Sequence, residues 1–215
     1  MTVRSGPNLP TSGLVCVIDP NSVKGYPGSG TVLYDSTGSG NNVTGVSSGE
    51  FVSYNANRVL RLDNTQYRTV STLSVTLPYT ILGVDRYNGL GANAKGRTIS
   101  SSTANWLMNH HAGNKFAYYA VGWVGTATAS DTTNLWNIGI VTGASGDYHC
   151  YYDNIDKTVT AAGGSAGPGT IEINGYSSGF ELSNMDLGII AVWNRVLTSS
   201  EISQVYSSMK TRFEQ

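Results

Sequence analysis

Charge is what this chain has least of. Only 13% of its 215 residues are Asp, Glu, Lys or Arg, about half the share of an average soluble domain. The formal net charge is -1 and the cations are scattered. No basic stripe is available to neutralise a phosphate backbone, so nucleic acid is not expected as a partner. Long apolar runs are missing too: nothing approaches about 18 consecutive apolar residues, and Met1 to Pro10 has no apolar core of a secretion signal. Neither membrane insertion nor export by a signal of its own is expected. Heptads and internal repeats are absent, which excludes a coiled-coil or fibrous shaft. There are two cysteines, Cys16 and Cys150, too few for a disulfide framework. Each lies in a β-patterned run, where a small buried thiol is the ordinary use; whether they pair stays open.

Abundance lies elsewhere, in 26 Gly and 13 Tyr and in plentiful Ser, Thr and Asn. Hydroxyls and amides supply the solubility that charges usually supply, which is an all-β composition. One domain of this length would bury roughly 70% of the unfolded chain's surface. Residues 1–13 hold Gly6, Pro7, Pro10 and Gly13 and read as an extended arm, with residues 14–215 as the domain. Arms of this kind dock, and Arg4, Pro7, Leu9 and Pro10 are the candidate docking residues.

From Leu14 short β-runs alternate with Gly, Asn and Ser turns. They are Leu14–Ile18, Val59–Leu62, Thr80–Val84, Arg97–Ser100, Trp106–Met108 and Phe116–Val121. Trp136–Val141, Tyr148–Tyr152, Thr158–Thr160, Ile171–Ile173 and Leu187–Trp193 follow. So many strands in one domain require two stacked sheets. Ala144-Ser-Gly-Asp147 predicts a tight hairpin, with Gly146 supplying a positive φ. The chain then switches to helix: Thr198-Ser-Ser-Glu201 is a capping box, so a helix should begin at Ser199. Ile202, Val205, Tyr206, Met209 and Phe213 form its apolar stripe.

Candidate chemistry is sparse. The glutamates are Glu50, Glu172, Glu181, Glu201 and Glu214; no compact pair of carboxylates suggests glycoside hydrolysis, which needs two facing a substrate. His110, His111 and His149 lack metal-ligand spacing, and neighbours on a strand point to opposite faces. Asp19, Asp35 and Asp63 lie at strand ends, where a carboxylate accepts backbone N–H bonds in an Asx-type turn. Calcium is the sharper alternative, but no dense Asp/Asn cluster accompanies it. No cofactor and no metal ligand is therefore assigned. No nucleophile elbow, phosphate loop or dinucleotide fingerprint is present. The stretch from Asn105 to Trp123 mixes aromatic rings with amides, as a glycan or protein surface would. Trp106, Asn109, His111, Tyr119 and Trp123 are its candidate contact residues, although alternation must send part of the set into the core.

Three separated segments carry a resemblance. The first is Ser12-Gly-Leu-Val-Cys-Val-Ile-Asp-Pro-Asn21 with Tyr26-Pro-Gly-Ser-Gly-Thr31, Tyr34-Asp35 and Gly38-Ser-Gly-Asn-Asn42. The second runs from Leu135-Trp136 to Asp147-Tyr-His-Cys-Tyr-Tyr-Asp-Asn154. The third runs from Gly188 through Trp193-Asn-Arg-Val-Leu-Thr198 to Glu201-Ile202, Tyr206, Lys210 and Phe213. Their order and spacing resemble the laminin-G-like (concanavalin A-like) domains found among structural proteins of tailed phages. Asn154 departs from the family's turn Gly, and Cys16 and Leu33 from its usual apolar residues.

The resemblance implies an all-β, two-sheet antiparallel jelly-roll sandwich with one C-terminal α-helix. It implies no enzymatic activity and a place in the virion, most simply as a capsid decoration or head accessory protein. The partner would then be the major capsid protein, with homo-oligomerisation and contact with host surface glycans as further expectations. A lectin-like receptor-binding module of a phage tail is the alternative, and a glycoside hydrolase of the same fold the second. Fold alone does not choose among them.

Overall fold

A computed structural model describes residues 8–91, 94–125, 129–131, 134–160 and 167–213. The first strands are β1 (Leu14–Ile18), β2 (Val32–Leu33), β3 (Val43–Thr44), β4 (Phe51–Tyr54), β5 (Asn57–Leu62) and β6 (Arg68–Thr69). The middle ones are β7 (Tyr79–Tyr87), β8 (Ile99–Ser101), β9 (Trp106–His111), β10 (Asn114–Ala120), β11 (Trp123–Gly125) and β12 (Ala129–Ser130). The last are β13 (Asn137–Ala144), β14 (Asp147–Tyr152), β15 (Ile155–Asp156), β16 (Ile171–Ile173) and β17 (Met185–Trp193), followed by helix α1 (Ser199–Phe213).

Two antiparallel sheets stack into a β-sandwich. The larger runs β15-β14-β13-β7-β17-β5-β4, with β1 also paired to β17; the smaller runs β11-β10-β9-β8-β16-β6, with β12 on β10. Between them lies one core, which includes Ile18, Leu62, Ile81, Ile99, Met108, Tyr118, Val141, Tyr152, Ile173 and Val192. The alternate residues of the large sheet face the other way. Leu82, Val84, Ile138, Ile140, Ile189 and Trp193 meet Ile202, Val205, Met209 and Phe213 of α1 in a second core. Burying an apolar side chain of this size is worth about 1.5–3 kcal/mol, so the helix stripe holds the helix to the sheet. The helix thereby packs on the outer face of the large sheet.

The helix begins at Ser199 as its cap dictates. Thr198 Oγ1 accepts from the Glu201 N–H at 3.3 Å, while the Glu201 carboxylate accepts from the Thr198 N–H at 2.8 Å. The Arg195 guanidinium, and then the Thr198 N–H, hold the Glu201 carboxyl down to about 2. The Ala144–Asp147 hairpin closes on Gly146 at φ 72°. Asn154 takes φ 59° beside Asp153 at φ 54° in the two-residue turn between β14 and β15. Asn and Asp tolerate that left-handed region.

Two sequence expectations are corrected by contacts distant in sequence, and the open question of the cysteines is answered. Thr158–Thr160 is not a strand: Thr158 Oγ1 accepts from the Cys150 N–H, and the Val159 and Thr160 N–H groups both donate to the Val124 carbonyl. Arg97 lies outside β8, because its carbonyl accepts from Gly175 and its N–H donates to Glu181. Cys16 and Cys150 are buried free thiols in one row across the large sheet, Cys150–Val141–Ile81–Val192–Cys16. Four strand spacings separate their Cα atoms by roughly 19 Å, far beyond the ~7 Å limit of a disulfide. Burial, and secondarily Asp156, pushes the Cys150 thiol up to about 12.

The Asx-turn reading of the aspartates holds. Asp35 accepts from the N–H groups of Val17, Thr37 and Asn41, Asp63 from Thr65, and Asp19 from Asn21. Asp19 also receives the Arg212 guanidinium through two bonds of 2.6 and 2.9 Å, tying the end of α1 to the end of β1. Among the described residues no three His, Cys, Asp or Glu side chains converge as metal ligands.

Candidate functional site

On the outer face of the small sheet Ser100, Leu107 and Glu172 are buried, whereas Trp123 of β11 stays exposed. Inward-pointing Trp106, Met108, Tyr118 and Val124 belong to the central core, so alternation turns Leu107, Tyr119 and Trp123 outward. Tyr119 pairs with Leu107 on β9 and with Trp123 on β11. The Tyr119 and Trp123 rings meet edge to face at 5.3 Å, and the His111 ring lies 5.8 Å from Trp123. Trp123 keeps 39% of its surface exposed, an uncommon state for a large aromatic residue held by two neighbours.

Beside this aromatic group the segment 174–182 folds across the same face. Ser100 donates its hydroxyl to the Gly175 carbonyl, and the Asn174 N–H donates to Thr98. Gly96 lets the segment approach: a Cβ there would overlap the Glu181 carbonyl. Glu181 is thereby set next to His111, with 3.5 Å between Oε2 and Nε2. The same oxygen accepts from Arg97 Nε at 2.5 Å, and Arg97 Nη1 donates to Asn105 Oδ1 at 3.0 Å. The Arg97 guanidinium stacks 4.1 Å from the Tyr176 ring centroid. The result is a continuous strip, Tyr119–Trp123–His111–Glu181–Arg97, flanked by Asn105 and Tyr176. Burial pushes His111 below its usual value, Glu181 pulling it back and Arg97 reinforcing the fall.

Residues with positive φ flank this strip on both sides. Val121, at the tip of the β10–β11 turn, has φ 59° and is 65% exposed; a β-branched residue adopts that conformation only under constraint. Across the strip Asn174, Ser177, Ser178 and Glu181 also have positive φ. Such residues cost on the order of 1–3 kcal/mol each and collect at ligand-contacting sites.

Of the five aromatic and amide candidates, the structure brings His111, Tyr119 and Trp123 together on the outer side of the small sheet. Trp106 and Asn109 are in the interior instead. Trp106 Nε1 donates to the Tyr79 hydroxyl at 3.1 Å, which lies 2.7 Å from the Tyr118 hydroxyl. Asn109 has φ 71° opposite a bulge at Phe116, and its Nδ2 donates to the Gly83 carbonyl and to Asp85. That local left-handed turn breaks the alternation on which surface placement of Asn109 depended. Leu9 packs against the helix-side core, the Pro10 carbonyl accepts from Trp193 Nε1 at 2.7 Å, and Asn8 bonds Ser208 and Gln204. These arm residues are thus engaged with the chain's own body. Arg4 and Pro7 lie outside the described residues.

Sequence reasoning missed Arg97, Tyr176 and Glu181 as parts of the site. Arg97 and Glu181 are 84 residues apart, and no local pattern links them. It also missed a buried cluster. His110 points inward, with Nδ1 3.1 Å from Asp85 and Nε2 3.3 Å from Asp131, and the Tyr87 ring 4.6 Å away. Burial alone would push the imidazole down, but the two carboxylates outweigh it and hold the pKa up at about 9. Asp85 and Asp131 are 0% and 2% exposed, so this carboxylate pair clamps an imidazolium rather than facing a substrate across a cleft. Two surface clefts, of about 440 Å³ around Arg61, Asn64 and Asn184 and about 160 Å³ around Val15 and Leu73, lie away from the strip.

No family model matches the chain, and no curated protein sequence matches it. Solved structures do. A Trypanosoma rangeli sialidase in complex with sialic acid superposes with a TM-score of 0.66 at 15% identity, over 94% of this chain. This chain spans only 34% of the sialidase. The binding domain of Paraclostridial Mosquitocidal Protein 1 superposes at 0.64 with 16% identity, over 92% of this chain and 52% of that one. Domain 4 of AbnA, a GH43 extracellular arabinanase from Geobacillus stearothermophilus solved with arabinotriose, superposes at 0.65 with 11% identity, over 91% of this chain and 98% of that domain. At these identities the likeness is one of fold: a β-sandwich shared with domains of glycan-handling and binding proteins.

Proposed function

We propose that this chain is a non-catalytic carbohydrate-binding module with jelly-roll, concanavalin A-like topology, and that glycan contacts the aromatic and polar strip on the outer side of its smaller sheet. The observation that carries this is Trp123, exposed yet held by Tyr119 and His111, beside the anchored polar group of Glu181, Arg97 and Asn105. Flat rings stack on the apolar faces of sugars while fixed polar atoms bond their hydroxyls, the usual division of labour in small-molecule sites. The arabinotriose in a superposable domain, matched over 98% of its length, supports the ligand class. The sequence resemblance to laminin-G-like phage proteins supports a setting for such a module: the surface of a virion, next to the major capsid protein and in contact with host glycans.

A glycan array probed with the wild-type chain and with Trp123→Ala tests the reading. Binding by the wild type, lost in a variant with an unchanged circular dichroism spectrum, is the expected result. Absence of wild-type binding to any glycan refutes the ligand class, and release of reducing ends from a bound glycan refutes the non-catalytic part. Copy number per particle, by quantitative mass spectrometry of purified virions, tests the setting: tens to hundreds are expected for decoration, few for a tail tip, and none overturns it.

A further inference from the structure

We infer that the strip takes a neutral glycan chain lying along it and engaged through internal units, not an acidic sugar and not a single terminal one. This rests on the carbohydrate-binding reading above and goes beyond it by naming the ligand's charge and form. The charge argument begins with Arg97. Its guanidinium is 6% exposed, bonded through Nε to Glu181 and through Nη1 to Asn105, and stacked on Tyr176. With Nε and Nη1 both engaged, neither edge of the guanidinium offers two free nitrogens side by side, which bidentate capture of a sugar carboxylate needs. The Glu181 side chain, by contrast, is 44% exposed. A carboxylate on the ligand would meet this like charge, whereas a hydroxyl would donate to it in a charge-assisted bond. Burial lowers the basicity of His111, which works against a positive charge there.

Form follows from layout. The aromatic platform of Trp123 and the polar anchor of Glu181 are separated by the His111 ring, which touches both at 5.8 and 3.5 Å. A sugar ring stacked on Trp123 has that imidazole between it and Glu181, so the two ends are satisfied together by successive units of one chain. None of these residues lines either cleft, so among the described residues neither cleft encloses an end unit at the strip. The constrained turns at Val121 and at Ser177, Ser178 and Glu181 hold both sides in place before binding. Preorganisation of this kind lowers the entropy cost of ordering on contact.

Isothermal titration with a neutral oligosaccharide series, from monosaccharide to hexasaccharide, alongside a uronic-acid series, tests the inference. Affinity should rise about tenfold or more from the monosaccharide to the longer neutral chains and change little between low and high salt. Trp123→Ala should weaken the neutral chain about three- to tenfold through lost stacking, and Glu181→Gln about tenfold through the lost charge-assisted bond. Thermal unfolding of both variants confirms that they fold; as a control against misfolding, Trp123→Phe should retain most of the affinity. Tighter binding of the acidic series, or a monosaccharide bound as well as the hexasaccharide, overturns the inference while leaving carbohydrate binding intact. No binding to either series removes both. Concentration-dependent dimerisation abolished by Trp123→Ala assigns the face to a second copy of the chain and also overturns it.

Discussion

The His110 cluster makes stability fall with rising pH, opposite to the usual behaviour of a carboxylate-bearing core. His110 binds its proton more tightly in the fold, with a pKa of about 9 against 6.5 for an unburied histidine. Each pH unit between those values is worth about 1.4 kcal/mol, so the clamp contributes roughly 3 kcal/mol. The contribution is complete below pH 6.5, where folded and unfolded forms are both protonated, and is lost as pH rises through about 9. A domain's whole stability is on the order of 5–15 kcal/mol, so the loss is large enough to read directly. Cys150 stays above this window at about 12, and burial raises Tyr79, Tyr87, Tyr118 and Tyr152 above their ordinary values. Urea unfolding across pH 6.5 to 9.5, with NMR titration of the His110 ring protons, measures the effect. His110→Gln should abolish the slope and cost about 3–5 kcal/mol at pH 6.5, since it leaves two buried carboxylates without their cation. A stability profile that is flat or rises over this range, or a slope that persists in His110→Gln, refutes the account.

Gly188→Ala should loosen the helix. A Cβ there would lie 2.5 Å from the Phe213 ring and 3.2 Å from the Val84 carbonyl, and overpacking of this kind costs about 1–3 kcal/mol, read as a lower thermal midpoint and earlier amide exchange in α1. Asp186→Asn should cost about 3 kcal/mol in chemical denaturation, because that buried carboxylate receives Arg61 at 2.7 Å and Arg86 at 2.7 Å; a loss below roughly 0.5 kcal/mol would mean that the two guanidiniums are stabilised by other groups.

Much of the fold was legible because the signals involved are local. The β1 run matches Leu14–Ile18 residue for residue, β16 matches Ile171–Ile173, and the capping box starts α1 at Ser199. Each depends on residues within a few positions of one another. The candidate site was legible by halves. The aromatic content of β9 to β11 drew attention to the right ribbon, and strict alternation separates Tyr118 from Tyr119 and His110 from His111. Alternation also misplaced Asn109, because a bulge at Phe116 and a left-handed backbone at Asn109 turn it inward. The polar half, Arg97 with Glu181, had no signal at all: a turn-rich stretch around Ser177, Ser178 and Gly179 reads as loop and says nothing of what it crosses.

By itself the amino-acid sequence determined the β-runs, the Asp153-Asn154 and Ser145-Gly146 turns, the helix with its cap and apolar stripe, and the two-faced pattern that requires a sandwich. Tertiary structure alone decided that α1 packs on the large sheet and that segment 174–182 crosses the outer face of the small one, with Trp123 left exposed beside it. It alone joined Arg97 to Glu181, clamped His110 between Asp85 and Asp131, and set Cys16 and Cys150 at opposite ends of one row. The physical reason is range. Propensity, capping and alternation act over a turn or a strand, whereas these juxtapositions depend on strand order and register, which emerge only when the whole core is packed.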